Sequence, residues 1–503
     1  MKNKPKLLFW LDGFLLHFCL SYYLQSSLDA ELFGLIDINS NPKKFFKNQI
    51  FVNYKKTWFF HDFIKKNNKK PDLEYLSNFE TKYDINLWKL ALNERLFYIH
   101  NRFYKFSKLE ILSILEQELK LFESILDEVK PDFFLTYDPV FHHQKLLLEL
   151  CRKKGIRVLC IVLATGIENK TIIVEDGATY DLDPNSLNHS LINKKSIGEQ
   201  NPNAYEGIMK KYIKNRTITL SDKFSAFREF LFDFKTNDIK SNFMYYGRDK
   251  IKVIKDALYL ERRKITNLNF LNKVSTLDPN LDNSYIYFPM SVDEEQNLLH
   301  YAPYYTDQIE VIRHIAKSIP IDFTLFVKEH IAAGTKGWHD VEYYKQITEI
   351  PNVVFVNPKF DHKTLLKNSQ LLMTIRGSSS LQSLTYHKPA IIFGEQPISI
   401  MPCTFTVDSL NDLPELIKKA LSCKVDSLDY EKFVGLLHDR LFEFNIFEYE
   451  INRNNTFFTG NLLSNTKIKN NDMQVFLEEN KESLRQLVNA HSKIISLDKP
   501  HLI

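Results

Sequence analysis

The sequence predicts an α/β protein with two Rossmann-like, doubly wound domains, a helical insertion between them and a helical C-terminal segment. Three observations predict this class. Short apolar runs alternate with amphipathic stretches, which is typical of β-α-β units with parallel strands. The chain has 503 residues, too many for a single hydrophobic core. The alternation also stops within residues 178–283, which are rich in asparagine and lysine and show mainly helical patches such as Lys223–Phe234 and Arg248–Arg263.

These changes of pattern set the predicted domain boundaries. Residues 1–177 form the first Rossmann-like domain, and residues 178–283 form the helical insertion and linker. Residues 284–437 form the second Rossmann-like domain, and residues 438–503 form a helical tail. Ligands of open parallel sheets bind outside the carboxyl ends of the strands, in this case in a cleft that the two domains face. Polar residues directly after the strands are therefore the candidate site residues.

The elements of the first domain follow from local signals. The predicted strands are Leu7–Leu11, Glu31–Ile36, Asp132–Tyr137 and Ile156–Leu163. The predicted helices are about Phe14–Gln25, Lys108–Val129 and Phe141–Lys154. Apolar residues recur every three to four positions in the second helix, Pro131 ends it, and Gly155 follows the third helix as its C-terminal cap. The last strand is almost wholly apolar, as in a parallel sheet covered on both faces.

The second domain repeats this rhythm. Its predicted strands are Tyr285–Phe288, Phe323–Val327, Val353–Val356, Leu371–Ile375, Ala390–Phe393 and Thr404–Val407. The predicted helices between them are Tyr304–Lys317, Asp340–Glu349, His362–Lys367, Ser379–Tyr386 and Leu410–Leu421. A last amphipathic helix after residue 471 could pack on either domain.

Charge and cysteine usage restrict the function classes. Sixty-six Lys and Arg residues stand against 62 Asp and Glu residues, a balance that argues against a dedicated nucleic-acid binder. The five cysteines are scattered without a metal-ligand spacing, so we expect reduced thiols, no metal site and a cytoplasmic protein. The N-terminal run Leu7–Leu20 is interrupted by Asp12-Gly13 and predicts a strand, a turn and a helix instead of a signal peptide. The basic, aromatic stretch Lys43–Phe106 could contact the inner face of the plasma membrane or form a solvated surface.

Two strand ends in the second domain are candidate phosphate sites. Arg376, Gly377, Ser378, Ser379 and Ser380 follow a predicted strand and open a helix, where free backbone N–H groups and the helix dipole favour anions. Serine capping of the helix is the alternative interpretation. Lys328, Glu329 and His330 follow another strand, where the lysine could neutralise a phosphate and His330 could donate a hydrogen bond or act as an acid. An ordinary solvated strand end is the alternative.

Other strand ends carry carboxylates and histidines. Glu295 follows the strand Tyr285–Phe288 and could hold sugar hydroxyls, whereas Asp307 favours the start of the next helix. In the first domain Asp12, Asp138, His142 and His143 lie in matching positions, where an Asp or His could act as base or nucleophile. Turn formation by Asp12-Gly13 and Asp138-Pro139 is the alternative. The sequence lacks the phosphate-binding P-loop, the glycine fingerprint of dinucleotide dehydrogenases and the HExxH, GxSxG and kinase motifs.

The ordered segments of the second domain resemble a known family. They read YIYFPMSVDEEQNLLHYAPYYTDQ, FTLFVKEH, IPNVVFVNP and LLMTIRGSSSLQSLTYHKPAIIFGE, and LLFWLDGFLLHF near the N-terminus is also similar. The resemblance is to the capsular and surface polysaccharide biosynthesis glycosyltransferases, including the 3-deoxy-manno-octulosonic acid (Kdo) transferase-like proteins. It implies the GT-B arrangement, with the nucleotide-sugar donor in the C-terminal domain and the acceptor in the N-terminal domain. By position, Lys328, Glu329, His330, Gly377 and Ser378 would face the donor, with Glu295 nearby.

The sequence departs from the family pattern at several positions. Ile331 replaces a proline, Arg376 stands at a threonine, Ser380 and His387 stand at glycines, and Gln382 stands at a glutamate. A glutamine keeps hydrogen-bonding capacity but removes the ionised acceptor. The role expected of Arg376 therefore comes from its chemistry and its place after a strand.

Together these observations predict a glycosyltransferase of hexosyl or Kdo type acting on a capsular polysaccharide or glycolipid. The expected donor is a CMP- or UDP-linked sugar, with no cofactor, metal or nucleic acid. Lys328, Arg376 and residues 377–380, with Gln382, would hold the donor and the departing phosphate, and Asp12 or Asp138 would activate the acceptor. A nucleotide-sugar epimerase and a non-catalytic assembly protein remain the alternatives.

Overall fold

The computed structural model describes residues 4–66, 69–164, 167, 169–183, 242–458 and 466–497. These residues divide into two compact units. Unit 1 contains the described residues up to 175 together with 242–250 and 440–497. Unit 2 contains residues 176–183 and 251–439. The predicted helical patch at residues 223–234 lies outside the described residues.

Thirteen strands are found in the described residues. They are β1 (Lys6–Asp12), β2 (Glu31–Asp37), β3 (Lys56–Phe59), β4 (Phe133–Tyr137), β5 (Arg157–Leu163), β6 (Lys170–Val174), β7 (Tyr285–Pro289), β8 (Thr324–Lys328), β9 (Val353–Val356), β10 (Leu371–Thr374), β11 (Ala390–Ile392), β12 (Thr404–Thr406) and β13 (Phe442–Glu443). All ten strands predicted from apolar runs are present, with ends that agree or differ by one residue. Strands β3, β6 and β13 were not predicted.

The helices of the described residues are numbered in chain order. They are α1 (Leu16–Ser27), α2 (Ser40–Asn48), α3 (Phe60–Phe63), α4 (Leu73–Tyr83), α5 (Leu87–Leu92), α6 (Lys108–Val129), α7 (His142–Lys153), α8 (Lys250–Val274), α9 (Gln296–Leu299), α10 (Gln308–Ser318), α11 (Val341–Thr348), α12 (His362–Asn368), α13 (Ser379–Thr385), α14 (Leu413–Ser422), α15 (Asp429–Leu437), α16 (Ile446–Phe457), α17 (Asn470–Glu479) and α18 (Lys481–Leu497). Among them, no helix is both long enough and apolar enough to cross a membrane.

Local chemistry explains where several helices begin and end. Ser107 and Glu110 form a reciprocal capping box at the start of α6, which satisfies two backbone donors there. Gly155 follows α7 with a φ of 71°, a conformation that suits glycine and confirms its predicted role at that helix end. The predicted helix from Tyr304 begins instead at Gln308, because Asp307 accepts the backbone N–H groups of Ile309 and Glu310 as its cap.

The sheet of unit 1 has the Rossmann strand order. Its order is β13-β6-β5-β4-β1-β2-β3, and β1 to β5 pair in parallel. Strands β6 and β13 extend one edge antiparallel. The order reverses between β1 and β4, so the ends of these two strands flank the switch point where open α/β sheets bind ligands.

The C-terminal helices complete the core of unit 1. Met473 and Phe476 of α17 and Leu484 and Leu487 of α18 are buried in the same apolar cluster as Phe18 of α1. The Tyr23 hydroxyl also donates to the Leu477 carbonyl oxygen at 2.7 Å. The tail, whose packing partner the sequence left open, therefore packs on the N-terminal sheet.

The sheet of unit 2 is wholly parallel among the described strands. Its order is β12-β11-β10-β7-β8-β9, again the Rossmann order, with the switch point between β7 and β10. Buried apolar side chains cover both faces of this sheet, in two separate clusters. The predicted α/β class with two Rossmann-like, doubly wound sheets is confirmed.

One prediction about the cysteines is wrong. Cys403 and Cys423 form a disulfide, whereas the sequence predicted five reduced thiols. Their 20-residue separation shows no motif, but Cys403 directly precedes β12 and Cys423 directly follows α14, and the fold brings their Cα atoms to 5.9 Å. Cys19, Cys151 and Cys160 are buried and lie outside this disulfide.

Candidate functional site

Lys328 is an unpaired buried cation at the carboxyl end of β8. Its side chain is the last of the strand, and the residue is 8% exposed. Among the described residues, none lies within ion-pairing or hydrogen-bonding distance of its ammonium group. Burial lowers the pKa of Lys328 from 10.5 to about 8, although the more distant carboxylates of Asp361 and Glu329 oppose this shift. A buried, unpaired ammonium group is expensive, so this lysine is the strongest sign of an anion site in unit 2.

Glu329 takes part in a buried hydrogen-bond network instead of the anion site at Lys328. Its carboxylate accepts from Nδ1 of His339 at 2.5 Å, from the Tyr344 hydroxyl at 3.0 Å and from the His330 backbone N–H at 2.8 Å. Nε2 of His339 donates in turn to Asp293 at 2.7 Å. Burial alone would lower the pKa of His339, but the two carboxylates outweigh it and raise the pKa to about 10. Glu329 therefore serves to fix the loops after β7 and β8, a role that the sequence did not predict.

His330 is placed at the start of a short 3-10 turn. Its Nδ1 accepts the backbone N–H of Ala332 at 3.2 Å, which leaves Nε2 as the hydrogen-bond donor of a neutral ring. The surrounding protein lowers the pKa of His330 by removing water, and the charge of Lys328 lowers it further. The ring is thus suited to donating a hydrogen bond beside Lys328, one of its two predicted roles.

Arg376 lies at the end of β10, across the switch point from β7. Its guanidinium carbon lies 3.8 Å from the centre of the Tyr301 ring, and its Nη2 donates to the Gly177 carbonyl oxygen at 2.9 Å. Its Nη1 is buried and has no hydrogen-bond partner among the described residues. The guanidinium is therefore held from two sides, with the N–H groups of Nη1 left for a ligand.

The glycine-serine segment after Arg376 is only partly available. Gly377 donates its backbone N–H to Oε1 of Gln396 at 3.3 Å, and Ser380 returns its hydroxyl to the Gly377 carbonyl oxygen at 2.7 Å. Among the described residues, nothing accepts from the backbone N–H groups of Ser378 and Ser379. Gly377 has a φ of 156°, which L side chains rarely adopt. The donor set expected from this segment is thus reduced to Ser378 and Ser379.

Gln382 is oriented by a half-buried histidine. Nε2 of His362 donates to Oε1 of Gln382 at 3.0 Å, and its Nδ1 accepts the hydroxyl of the fully buried Tyr287 at 2.8 Å. Burial and the neighbouring Lys328 lower the pKa of His362 to about 4, so its ring is neutral. The glutamine thus turns its amide oxygen inward. Glu295, by contrast, is exposed at the start of α9, and its expected contact with a donor stays a prediction.

In unit 1, Asp12 ends β1 beside the switch point, whereas the sequence predicted only that it follows the first strand. One carboxylate oxygen accepts the Phe14 backbone N–H at 2.9 Å, and the other accepts the hydroxyl of Tyr137, which ends β4. Burial raises the pKa of Asp12 from 3.8 to about 6, and the hydrogen bond from Tyr137 opposes that rise. A carboxylate with this pKa is suited to taking a proton near neutral pH. Asp138 is half-buried, and its backbone N–H donates to the Ile161 carbonyl oxygen at 3.2 Å; its catalytic role stays a prediction.

Asp37, at the end of β2, is a residue that the sequence reasoning missed. It lies opposite Asp12 in the parallel register. Its two oxygens face Nε2 of His61 at 2.8 Å and Nε2 of His143 at 3.1 Å. Burial would raise the pKa of Asp37, but the two histidines outweigh it and lower the pKa. It follows a strand just as Asp12 does, so the same strand-end rule could have found it.

His142 forms a buried ion triad instead of facing the strand ends. Its Nδ1 contacts Glu94 at 2.8 Å and its Nε2 contacts Glu118 at 3.0 Å, and all three residues are at most 2% exposed. Burial alone would lower the pKa of His142, but Glu118 and Glu94 raise it to about 10. No sequence motif links Glu94 and Glu118 to this histidine, since 48 and 24 residues separate them from it.

Fold and site thus define an α/β protein with a buried lysine and a half-buried arginine at the ends of the two strands that flank β7 in one Rossmann-order sheet, and a buried carboxylate of raised pKa at the switch point of the other. Residues 172–405, a little under half of the chain, match the family model described as capsule polysaccharide biosynthesis protein. The predicted resemblance to capsular polysaccharide biosynthesis proteins is confirmed by that match. No curated protein matches the chain.

Several solved structures are similar over most of the chain. The UDP-GlcNAc 2-epimerase of Methanocaldococcus jannaschii, in complex with UDP-GlcNAc and UDP, is 13% identical with a TM-score of 0.25, and covers 86% of this chain and 99% of its own. The Neisseria meningitidis enzyme is 12% identical with a TM-score of 0.27, covering 86% and 97%. KpsC of Thermosulfurimonas dismutans, a beta Kdo 2,7 transferase, is 10% identical with a TM-score of 0.30, covering 72% and 89%. Likeness at this level assigns neither an activity nor a site.

Proposed function

We propose that the protein is a glycosyltransferase that moves a sugar from a CMP- or UDP-linked donor onto a growing capsular polysaccharide or glycolipid. The observation that carries the proposal is the buried ammonium group of Lys328, which has no ion-pair partner among the described residues and lies at the carboxyl end of a strand in a Rossmann-type sheet. A donor phosphate would supply the missing negative charge. The match to the capsule polysaccharide biosynthesis family supports a polysaccharide or glycolipid as the product.

In this proposal unit 2 holds the leaving group. Lys328 and the free Nη1 of Arg376 stabilise the charge that develops on the departing nucleotide phosphate, and the backbone N–H groups of Ser378 and Ser379 add two donors. Because these groups are already oriented, they need no reorganisation when the sugar bond breaks. His330 donates a further hydrogen bond from its neutral ring.

Unit 1 provides the base. Asp12 accepts the proton of the acceptor hydroxyl, since its raised pKa of about 6 keeps it ionised yet basic at neutral pH. Tyr137 fixes one of its oxygens and thereby the direction in which it faces. The reaction would occur on the cytoplasmic side of the membrane, where the Cys403–Cys423 disulfide would meet reducing conditions.

The test uses the purified full-length chain and the variant Arg376→Ala. A thermal-shift screen against CMP-, UDP-, GDP- and CDP-linked sugars identifies the donor, because a ligand that binds only the folded state raises the apparent stability. We expect one nucleotide class to stabilise the native chain, and Arg376→Ala to fold normally but lose nucleotide release in the presence of acceptor.

Arg313→Ala is the matched control, since Arg313 is also in unit 2 but contacts Glu310 and Gln346 on a helix surface. Near-normal turnover in purified Arg376→Ala would contradict the phosphate assignment. An epimerised nucleotide sugar formed without acceptor would show an epimerase instead, and donor binding without turnover of any kind would show a non-catalytic protein.

A further inference from the structure

The buried triad of Glu94, Glu118 and His142, with the neighbouring His143, has hydrogen-bonding and metal-binding capacity that is not used among the described residues. Both oxygens of the fully buried Glu118 carboxylate contact the same Nε2 of His142, at 3.0 and 3.2 Å. No other donor reaches Glu118 among the described residues. A buried carboxylate normally accepts several hydrogen bonds, so one shared donor leaves most of its capacity unused.

His143 supplies a second, independent indication of a ligand at this site. The residue is fully buried, and its Nδ1 has no hydrogen-bond partner among the described residues. Its other nitrogen, Nε2, is paired with Asp37 at 3.1 Å. A buried, unpartnered ring nitrogen is costly and needs an explanation.

These side chains converge on one point of unit 1. Glu118 on α6 and His142 and His143 at the start of α7 each offer one ligand atom, and the three atoms lie within 4.8 Å of one another. Tetrahedral zinc with bonds of about 2.1 Å keeps its ligand atoms roughly 3.4 Å apart. A cation would therefore need Glu118 and His142 to separate slightly from their present 3.0 Å, and His143 to approach them by up to about 1.4 Å.

The outer partners are those that metal-binding histidines use. Glu94 accepts both the His142 backbone N–H and Nδ1 at 2.8 Å, which leaves Nε2 directed at Glu118. Asp37 holds Nε2 of His143, which leaves Nδ1 open. A carboxylate on the far nitrogen fixes the tautomer and the ring orientation of a histidine ligand, and both histidines here have one.

We propose that Glu118, Nε2 of His142 and Nδ1 of His143 bind a divalent transition-metal ion of the zinc class, with Glu94 and Asp37 as the groups that orient the two imidazoles. The ion takes the place of the proton that Nε2 of His142 now shares with Glu118, and this proton is released to solvent. One carboxylate and two imidazoles suit zinc or cobalt better than magnesium or calcium, which prefer oxygen ligands. The metal would join α6 to the start of α7. Through Asp37 it would also fix the strand edge on which Asp12 lies, so its first role is structural.

The experiment uses the untagged full-length chain, stripped of metal with a chelator. Calorimetric titration with Zn²⁺ should show one tight equivalent, and Co²⁺ should give the visible absorption of a site with nitrogen and oxygen ligands. Mg²⁺ should show neither behaviour. Glu118→Gln should lose the Zn²⁺ equivalent, and Asp37→Asn should weaken Zn²⁺ binding by about 10–100-fold, the usual effect of removing an outer partner.

Glu116→Gln is the matched control, because Glu116 lies on the same helix but pairs with Lys120 at the surface. It should bind Zn²⁺ like the native chain. If Glu118→Gln does not fold, the stoichiometry of the native chain and the affinity of Asp37→Asn still decide the question. Absence of a stoichiometric Zn²⁺ site in the native chain would overturn the proposal, as would equal affinity in the native chain and in Asp37→Asn.

Discussion

Replacing Lys328 with methionine should make the protein more stable and at the same time remove its donor binding. Methionine keeps the length of the aliphatic stem and removes the buried charge. The fall of the lysine pKa from 10.5 to about 8 means that the folded state carries about 3 kcal/mol of extra cost for the ammonium form. Removing it should raise the free energy of unfolding by up to that amount, or the melting temperature by roughly 6–12 °C for a unit of this size.

The difference in unfolding free energy between Lys328→Met and the native chain should depend on pH. Below pH 8 the lysine is charged in both the folded and the unfolded chain, so the full gap between variant and native chain is present. Between pH 8 and 10.5 the folded lysine loses its proton before the unfolded one, so the native chain recovers stability. Above pH 10.5 the lysine is neutral in both states and the gap should vanish.

Chemical denaturation of both chains at pH 7, 9 and 10.5 measures this gap. Lys317→Met is the control, since Lys317 is exposed on α10 and its replacement should change stability little at any pH. A thermal-shift titration with the donor found in the screen then measures binding, which Lys328→Met should lose. A variant less stable than the native chain at pH 7, or a gap that stays constant with pH, would refute the idea that Lys328 is held at a cost.

Three further predictions concern other groups. Asp12→Asn should abolish transfer, and kcat/KM of the native chain should rise with pH through about 6, as a base of that pKa requires; a flat profile from pH 5 to 7 would count against it. His339→Phe leaves Glu329 buried without its cation and should cost about 3–5 kcal/mol in denaturation, whereas a loss under 1 kcal/mol would show that the network is unimportant. In the native chain the stabilisation by His339 should be complete below pH 6.5 and fade as the pH rises through about 10. Reducing Cys403–Cys423 opens a 20-residue loop and should cost about 3 kcal/mol, which melting with and without dithiothreitol measures; an unchanged melting temperature would contradict it.

The strands and the strand-end residues could be predicted because their signals are local. An apolar run such as Ile156–Leu163 predicts a buried strand without knowledge of its tertiary partners. A parallel sheet then brings the residues that follow its strands together at the carboxyl ends of those strands. Lys328, Arg376 and Asp12 were found in this way. The edge strands β3 and β13 were missed because edge pairing needs little apolar sequence. Strand β6, which lies between β5 and β13, was missed because its apolar run is short.

The partners of these residues could not be predicted, because they come from distant parts of the chain. Nothing near Glu329 in the sequence shows that His339 will pair it with Asp293. Nothing near Gly377 shows that the Gln396 side chain will take its backbone N–H. Burial of a charge creates a requirement for a partner, but the fold decides which residue meets it.

The assembly of unit 1 from both ends of the sequence has a consequence for biosynthesis. A ribosome has delivered every described residue of unit 2 by residue 439, while α16, α17 and α18 are still missing from unit 1. Until they emerge, the face of α1 that Phe476 and Leu484 will cover stays apolar and open. Such a nascent chain is a natural client for chaperones, and a premature stop near residue 440 would leave a finished unit 2 joined to an aggregation-prone unit 1.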